Sequence, residues 1–222
     1  MGTREVPNTN NLPIGGNGGS AGPIEWVNLD GQTLVLNNTW QQFSFDMDAA
    51  PITAFTGNGV LDGIWGTLEH IRFRSDGIVG PYEIWIDDVA DTVAGLGTVN
   101  FGTFEGYASG QEVMFQEPRF SGSTSGHLAL SPNTAGVDNT VAHSGSGSYK
   151  IAFQFLDGDL SRWLRLTSFS AGGQPQPNPL IRYDQDSVVS FWLKGTAVPE
   201  PGSLSVLSLG VLALIRGLRK PK

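Results

Sequence analysis

The chain has 222 residues, of which 30 are Gly and none is Cys, and its formal net charge is −8. Gly is about twice as frequent as the usual ~7%, and a chain without Cys has no disulfide, thiol nucleophile or Cys-ligated zinc. The 39% of apolar residues exclude a disordered chain by composition, and only 13 Lys and Arg argue against nucleic-acid binding, which needs clustered cations.

The first 22 residues are polar and rich in Gly and Asn, and we expect a flexible N-terminal segment there. After it, short runs of β-branched and aromatic residues alternate with Asp-Gly, Asn-Gly and Ser-Gly turns. No stretch before residue 198 keeps a helical period over ten residues. The sequence predicts an all-β antiparallel sandwich or jelly roll at 23–196, with strands at 24–29, 33–36, 40–47, 68–74, 82–89, 99–104, 112–115, 127–130, 148–155, 162–169 and 187–194.

Alternation within the strands indicates which side chains face the core. In the strand at 40–47, Phe43, Phe45 and Met47 recur at every second position, so they are expected to point inward. The strand at 82–89 is apolar on both faces and is expected to be central or flanked by a loop. Arg162 opens a segment, RWLRLT, that also alternates and predicts a strand rather than a phosphate site.

Several phrases are similar to the jelly rolls of carbohydrate-binding modules of the galactose-binding-like kind. NTWQQFSFD at 38–46, LEHIRF at 68–73 and GPYEIWIDDV at 80–89 resemble the closing half of that fold. FEG at 104–106, HSGSGSYKI at 143–151 and VVSFWLK at 188–194 resemble its opening half.

The two halves stand in reversed order, the closing half at 23–93 and the opening half at 98–194. The resemblance therefore implies one circularly permuted sandwich or two half-repeats cut from a tandem array.

The same resemblance implies a structural Ca²⁺ site. Such modules often hold Ca²⁺ between an acid of the opening strand and one of the closing strand, and calcium prefers six to eight oxygen ligands. Carried over to this chain, the ligands are Asp87, Asp88, Glu105 and Ser146. The alternative is that these acids end strands and protect a sheet edge from aggregation.

Six Trp residues suggest stacking against sugar rings. Trp65 is expected in a Gly-rich loop and is the best exposed candidate for ligand binding, followed by Trp26 and Trp85. The other three alternate with apolar residues and are expected in the core: Trp40, Trp163 and Trp192.

Catalysis has little support in the sequence. The three His residues are scattered, and the paired acids stand at turns, where Asp bonds to its own backbone. No zinc-peptidase or serine-hydrolase motif occurs. We therefore expect a protein that is not an enzyme.

The C-terminus carries a distinct segment. Residues 1–198 hold nine basic and twenty acidic side chains, a net charge of −11, whereas four cations stand in the last seven positions. Pro199, Glu200 and Pro201 precede an uncharged apolar run at 203–215, and the cations that follow it are Arg216, Arg219, Lys220 and Lys222. A helix over 203–218 would be about 24 Å long, short of the ~30 Å hydrocarbon core, so it is either a marginal membrane span or a buried terminal helix.

This order of features at 198–222 resembles the PEP-CTERM sorting signal of Gram-negative envelope proteins. The resemblance implies that an exosortase, a membrane-embedded processing enzyme, reads the Pro-Glu-Pro motif. It also implies insertion of 203–218 in the membrane before processing, with the basic cluster on the cytoplasmic side. Such proteins enter by a signal peptide, and the first 20 residues have no apolar core of that kind. The start codon is then misplaced, export fails, or the sequence is a piece of a longer protein, and we expect the last of these.

Together these features predict a non-catalytic exported protein of the cell envelope or extracellular matrix, with a glycan-binding-like sandwich. The alternatives are a purely structural surface or biofilm matrix protein and a fragment of a polysaccharide-degrading enzyme.

Overall fold

Two antiparallel β-sheets pack face to face, as the strand pattern predicts. The computed structural model describes residues 1–6, 23–169, 180–183 and 186–197. Apart from one turn of 3-10 helix at Ser125–His127, the regular elements in these ranges are strands. The predicted all-β sandwich is therefore confirmed for the described residues.

The first sheet, sheet A, contains β1 (Gly2–Val6), β2 (Ile24–Val27), β4 (Ile52–Ala54), β5 (Trp65–Arg74), β10 (Trp163–Thr167) and β11 (Leu180–Arg182). Its order is β10-β5-β1-β2-β4, and β11 pairs with the first residues of β5. The long strand β5 therefore pairs with three other strands of this sheet, β1, β10 and β11.

The second sheet, sheet B, contains β3 (Trp40–Asp46), β6 (Tyr82–Val93), β7 (Gly97–Gly102), β8 (Leu128–Asp138), β9 (Ser148–Phe155) and β12 (Ser187–Ala197). Its order is β3-β12-β6-β9-β8, with β7 pairing the end of β6. Three strands pair with β6, which confirms the central position predicted from its two apolar faces.

The core lies between the sheets and is rich in aromatic rings. Phe43, Phe45 and Met47 are buried as the alternation predicts, and Phe45 stacks on Phe191 of the neighbouring strand at 5.6 Å between ring centroids. From sheet A, Leu68, Ile71, Leu164 and Leu166 enter the same cluster. Burial of these side chains is the main favourable term for the fold.

The prediction of a flexible N-terminal segment is wrong for residues 2–6. They form β1, which lies between β2 and β5 in the middle of sheet A. Its inward residues are polar, so the usual hydrophobic alternation is missing. Thr3 is buried and hydrogen-bonds Tyr183, and the carboxylate of Glu5 accepts the Asp62 backbone N–H at 3.2 Å.

Strands from both predicted halves enter both sheets. In sheet B, β12 pairs with β3 and with β6, and in sheet A, β10 and β11 pair with β5. The segments 23–93 and 98–194 thus share each sheet and one core.

Two predicted strands are absent from the described residues. At 33–36 the side-chain amide of Gln41 takes the place of a strand neighbour, because it bonds both the N–H of Val35 at 3.0 Å and its C=O at 2.7 Å. At 112–115 a single bridge from Phe115 to Ser168 replaces a strand. Conversely, the sequence did not predict the three-residue strands β4 and β11.

The tail at 198–222 lies outside the described residues, together with its Pro-Glu-Pro motif, apolar run and basic cluster. Within the part of the chain that the structure describes, no helix is long and apolar enough to cross a membrane.

Candidate functional site

The outer face of sheet A concentrates the cations of an acidic body. Residues 1–198 have only nine basic side chains, and six of them belong to sheet A or adjoin it. Leu164 and Leu166 of β10 point into the core, so Trp163 and Arg165, at the alternate positions, face outward. The six cations are Arg4, Arg72, Arg74, Arg162, Arg165 and Arg182.

Arg72 lies against two indole rings on this face, which also contact each other edge to face at 6.1 Å between ring centroids. Its guanidinium carbon is 5.1 Å from the ring centroid of Trp26 and 5.4 Å from that of Trp163. Trp26 also stacks on Phe55, with centroids 4.9 Å apart and planes 16° apart. Cation–π attraction of this kind holds a guanidinium in a defined plane.

A buried polar network lies beneath this stack. A register shift between Gly2 and Thr3 leaves Glu69 as the extra residue of β5 against β1. Glu69 and His70 are both fully buried, and Nδ1 of His70 bonds the Glu69 carboxylate. Nε1–H of Trp26 donates to Nε2 of His70 at 2.8 Å, so the imidazole proton resides on Nδ1.

Two arginines complete the network. The guanidinium of Arg165 pairs with Oε1 of Glu69, and Nη2 of Arg4 lies 3.5 Å from the same oxygen. Burial by itself raises the pKa of Glu69, but hydrogen bonds and charges from His70 and Arg165 outweigh it and lower the pKa to about 2. Burial lowers the pKa of His70. With both ring nitrogens bonded, His70 has a structural role.

An open polar pocket of about 410 Å³ adjoins the stack. Its size falls in the range of small-ligand sites, roughly 300–1,000 Å³. The pocket lies at the ends of β5 and β10 and is lined by Arg72, Arg74, Ser75, Asp76, Asp159, Leu160, Ser161, Arg162 and Trp163.

The two acids of this pocket already have partners. Asp76 pairs with Arg74 at 2.7 Å, and Oδ2 of Asp159 lies 2.6 Å from Nδ1 of His127. Asp159 also accepts the N–H of Ser161 at 2.8 Å, and this bond, with His127 next, lowers its pKa. The carboxylates are thus held in place by their own neighbours.

A second cavity, of about 470 Å³, lies between the sheets. Core rings such as Phe43 and Phe153 line it, and residues of 28–34 and 74–78 border it. The cavity therefore has a mixed lining, apolar where the core rings lie and polar along the two bordering segments.

The Trp residues lie elsewhere than the sequence suggests. Trp65 is the first residue of β5 rather than part of a loop, and Arg182 covers its ring at 4.5 Å. Trp85 is only 7% exposed, and Lys150 and Lys194 flank its ring. Trp26 does lie on the outer face.

The Trp residues expected in the core also differ. Trp40, Trp163 and Trp192 are each half-buried rather than buried, and Trp163 lines the polar pocket.

The predicted calcium residues bond one loop through N–H and hydroxyl donors. Asp87 accepts the N–H of His143 at 2.7 Å and of Ser144 at 3.2 Å, while Asp88 accepts Nδ1–H of His143. Glu105 accepts the N–H of Ser146 at 2.8 Å and its hydroxyl at 2.6 Å. Burial raises the pKa of Asp87 to about 6.

Those donors occupy carboxylate oxygens that a cation would need. In the described ranges, no group of three or more His, Cys, Asp and Glu side chains is placed to share a metal ion. The residues as arranged therefore do not fit a calcium site, and calcium binding stays a prediction that would require this loop to rearrange.

Comparisons with protein-family models, curated proteins and solved structures found no match to this chain. The alternating Arg residues of β5 and β10 were visible in the sequence, but alternation alone does not tell which strands are neighbours. Pairing of β10 with β5 across about ninety residues places Trp163 beside Arg72.

Proposed function

We propose that this chain is an exported, non-catalytic β-sandwich that binds polysaccharide on the outer face of sheet A. The observation that carries the proposal is the polar pocket lined by Trp163, Arg72, Arg74 and Arg162. An indole provides an apolar surface for the C–H groups of a sugar ring, and guanidinium groups donate hydrogen bonds in fixed directions to oxygens.

The pocket suits a hydroxylated ligand better than an apolar one. Arginine, aspartate and serine side chains make up most of its lining, with Trp163 and the fully exposed Leu160 as the apolar members.

The proposal is tested by affinity electrophoresis of the full chain through gels containing neutral and acidic polysaccharides. Retardation by at least one polymer, lost in Trp163→Ala, supports it. Migration unaffected by every polymer identifies a purely structural matrix protein instead, and shortening of a polymer identifies a degrading enzyme.

Absence of catalysis is part of the proposal. His70 has both ring nitrogens bonded in a buried network, while His127 and His143 each have Nδ1 bonded to an aspartate. Within the described residues none of these pairs adjoins a hydroxyl placed as a nucleophile: the Ser144 hydroxyl donates to Asp88 rather than to His143.

We further propose that the sandwich is a jelly roll permuted from two half-repeats. Support comes from β12, which is part of the opening half and lies between β3 and β6 of the closing half. Expression of 98–196 alone tests this, since that piece lacks its sheet partners. A cooperative melt of the piece would argue for separate domains.

The proposed location is the cell envelope, reached through the tail at 198–222. In this proposal an exosortase reads Pro199, Glu200 and Pro201, after membrane insertion of 203–218 and arrest by the basic cluster. Support comes from the order of these features in the sequence. Expression behind a signal peptide in a host with an exosortase should yield a shortened product, and Glu200→Ala should abolish it. An unprocessed wild-type chain would contradict this assignment.

A further inference from the structure

The pocket beside Trp163 has an excess of positive charge inside an acidic protein. It contains three arginines and two aspartates, whereas residues 1–198 carry a net charge of −11. Asp76 pairs with Arg74 and Asp159 with His127. Arg72 and Arg162 form no ion pair with a carboxylate in the part of the chain that the structure describes.

Both of these arginines are held by backbone carbonyls instead. Nη1 of Arg72 donates to the C=O of Leu29 at 3.3 Å, and Nη1 of Arg162 donates to the C=O of Gly77 at 2.7 Å. Their Nε–H groups are buried and have no hydrogen-bond partner among the described residues. These buried groups do not face a ligand, but Nη donors do remain: among the described residues only Nη1 of each guanidinium bonds the protein, so each has Nη donors left for a ligand.

The positions are also fixed in advance. The Arg72 guanidinium contacts the rings of both Trp26 and Trp163, so less side-chain freedom remains to be lost when a ligand binds. Burial, and next the charge of Arg74, lower the pKa of Arg72. An anion in the pocket would relieve this repulsion between like charges.

We propose that this pocket binds the carboxylate of a uronic acid residue in an acidic polysaccharide, with Arg72 and Arg162 as the carboxylate ligands. A guanidinium matches a planar carboxylate through two parallel hydrogen bonds. Trp163, on the pocket wall, lies where it can contact the attached sugar ring. The assignment rests on the proposed polysaccharide function and specifies its substrate class.

The test compares ligands that differ only in charge. Binding of the full chain to polygalacturonate oligomers is measured by titration calorimetry in EDTA, beside the same oligomers fully methyl-esterified. Alginate and hyaluronate oligomers extend the test to other uronic acids, and neutral glucans and galactans represent uncharged polymers. Dextran sulfate tests whether the anion must be a carboxylate.

We expect at least one uronate oligomer to bind, and esterification of that type of oligomer to weaken binding roughly tenfold or more. Arg72→Gln and Arg162→Gln should each weaken it by a similar factor. Lys194→Gln removes the same charge from sheet B, beside Trp85, and serves as the control that retains binding. If Arg72→Gln fails to fold, Arg162→Gln provides the test, because Arg162 is outside the aromatic stack.

Three results would overturn the inference. If esterified and free oligomers bind equally and the Arg variants do not weaken that binding, the protein still binds polysaccharide but does not recognise the carboxylate of an acidic sugar. Tighter binding of dextran sulfate than of any uronate would assign the pocket to sulfate. If neither neutral nor acidic polymers bind, the proposed function itself fails.

Discussion

The indole N–H of Trp26 donates to Nε2 of His70 at 2.8 Å, and this bond fixes which nitrogen of the imidazole carries the proton. The other nitrogen then donates to Glu69, whose carboxylate pairs with Arg165. One chain of polar contacts thus runs from a half-buried aromatic ring to a buried ion pair. It couples the surface stack around Arg72 to the interior of sheet A.

Loss of the Glu69 charge should strongly destabilise the fold. Glu69→Gln leaves the Arg165 guanidinium buried without its anion, and removing one partner of a buried ion pair costs about 3–5 kcal/mol. Urea unfolding followed by tryptophan fluorescence measures this. Glu117→Gln, at an exposed position, is the control and should change stability by about 0.5 kcal/mol or less. Equal stability of the two variants would show that the network is not structural.

Titration of His70 and of Glu69 should each lower stability on acidification, whereas protonation of Asp87, with its pKa of about 6, acts in the opposite direction and is common to all variants compared. The pKa of His70 lies below the ordinary 6.5 and that of Glu69 is about 2 rather than 4.5. In both cases the unfolded chain binds more protons than the folded one, so stability is lost below about pH 6.5 through His70 and again below about pH 4.5 through Glu69. Melting temperatures between pH 8 and pH 3 reveal the steps. His70→Gln should remove the upper step and His127→Gln should keep it; the same upper step in both variants would contradict the assignment.

Gly66 should not tolerate a side chain. A Cβ there would lie 1.4 Å from the hydroxyl oxygen of Tyr183, and this hydroxyl also hydrogen-bonds the hydroxyl of Thr3. Gly66→Ala must therefore displace a buried tyrosine and is expected to cost about 1–3 kcal/mol. A Cβ at Gly77 would point into open space, so Gly77→Ala is the matched control. Chemical denaturation compares the two variants, and equal midpoints would refute the close contact.

Calcium binding is tested by thermal melts in millimolar Ca²⁺ and in EDTA. Because Glu105 and Asp87 already accept N–H donors from the 143–147 loop, we expect the same melting temperature in both buffers. A rise in Ca²⁺ that Glu105→Gln abolishes would show that the loop rearranges into the calcium site predicted from the resemblance.

The alternation of apolar and polar residues within single strands correctly predicted which side chains face the core. Phe43 and Phe45 face the core as predicted, because every second residue of a strand shares a face. β1 was missed because its inward Thr3 and Glu5 are satisfied by polar partners distant in sequence. The candidate site was missed for a related reason, since the neighbourhood of Trp163 and Arg72 is created by strand pairing, and the exposure of Trp65 depends on Arg182.

The central claim is that the outer face of sheet A binds polysaccharide through the pocket beside Trp163. Affinity electrophoresis of Trp163→Ala and Trp65→Ala against the polymers that retard the wild-type chain tests it most directly, with circular dichroism to verify that both variants fold. We predict that Trp163→Ala loses retardation and Trp65→Ala keeps it. Loss in Trp65→Ala with full binding by Trp163→Ala would contradict the claim and assign the ligand to the site suggested by sequence.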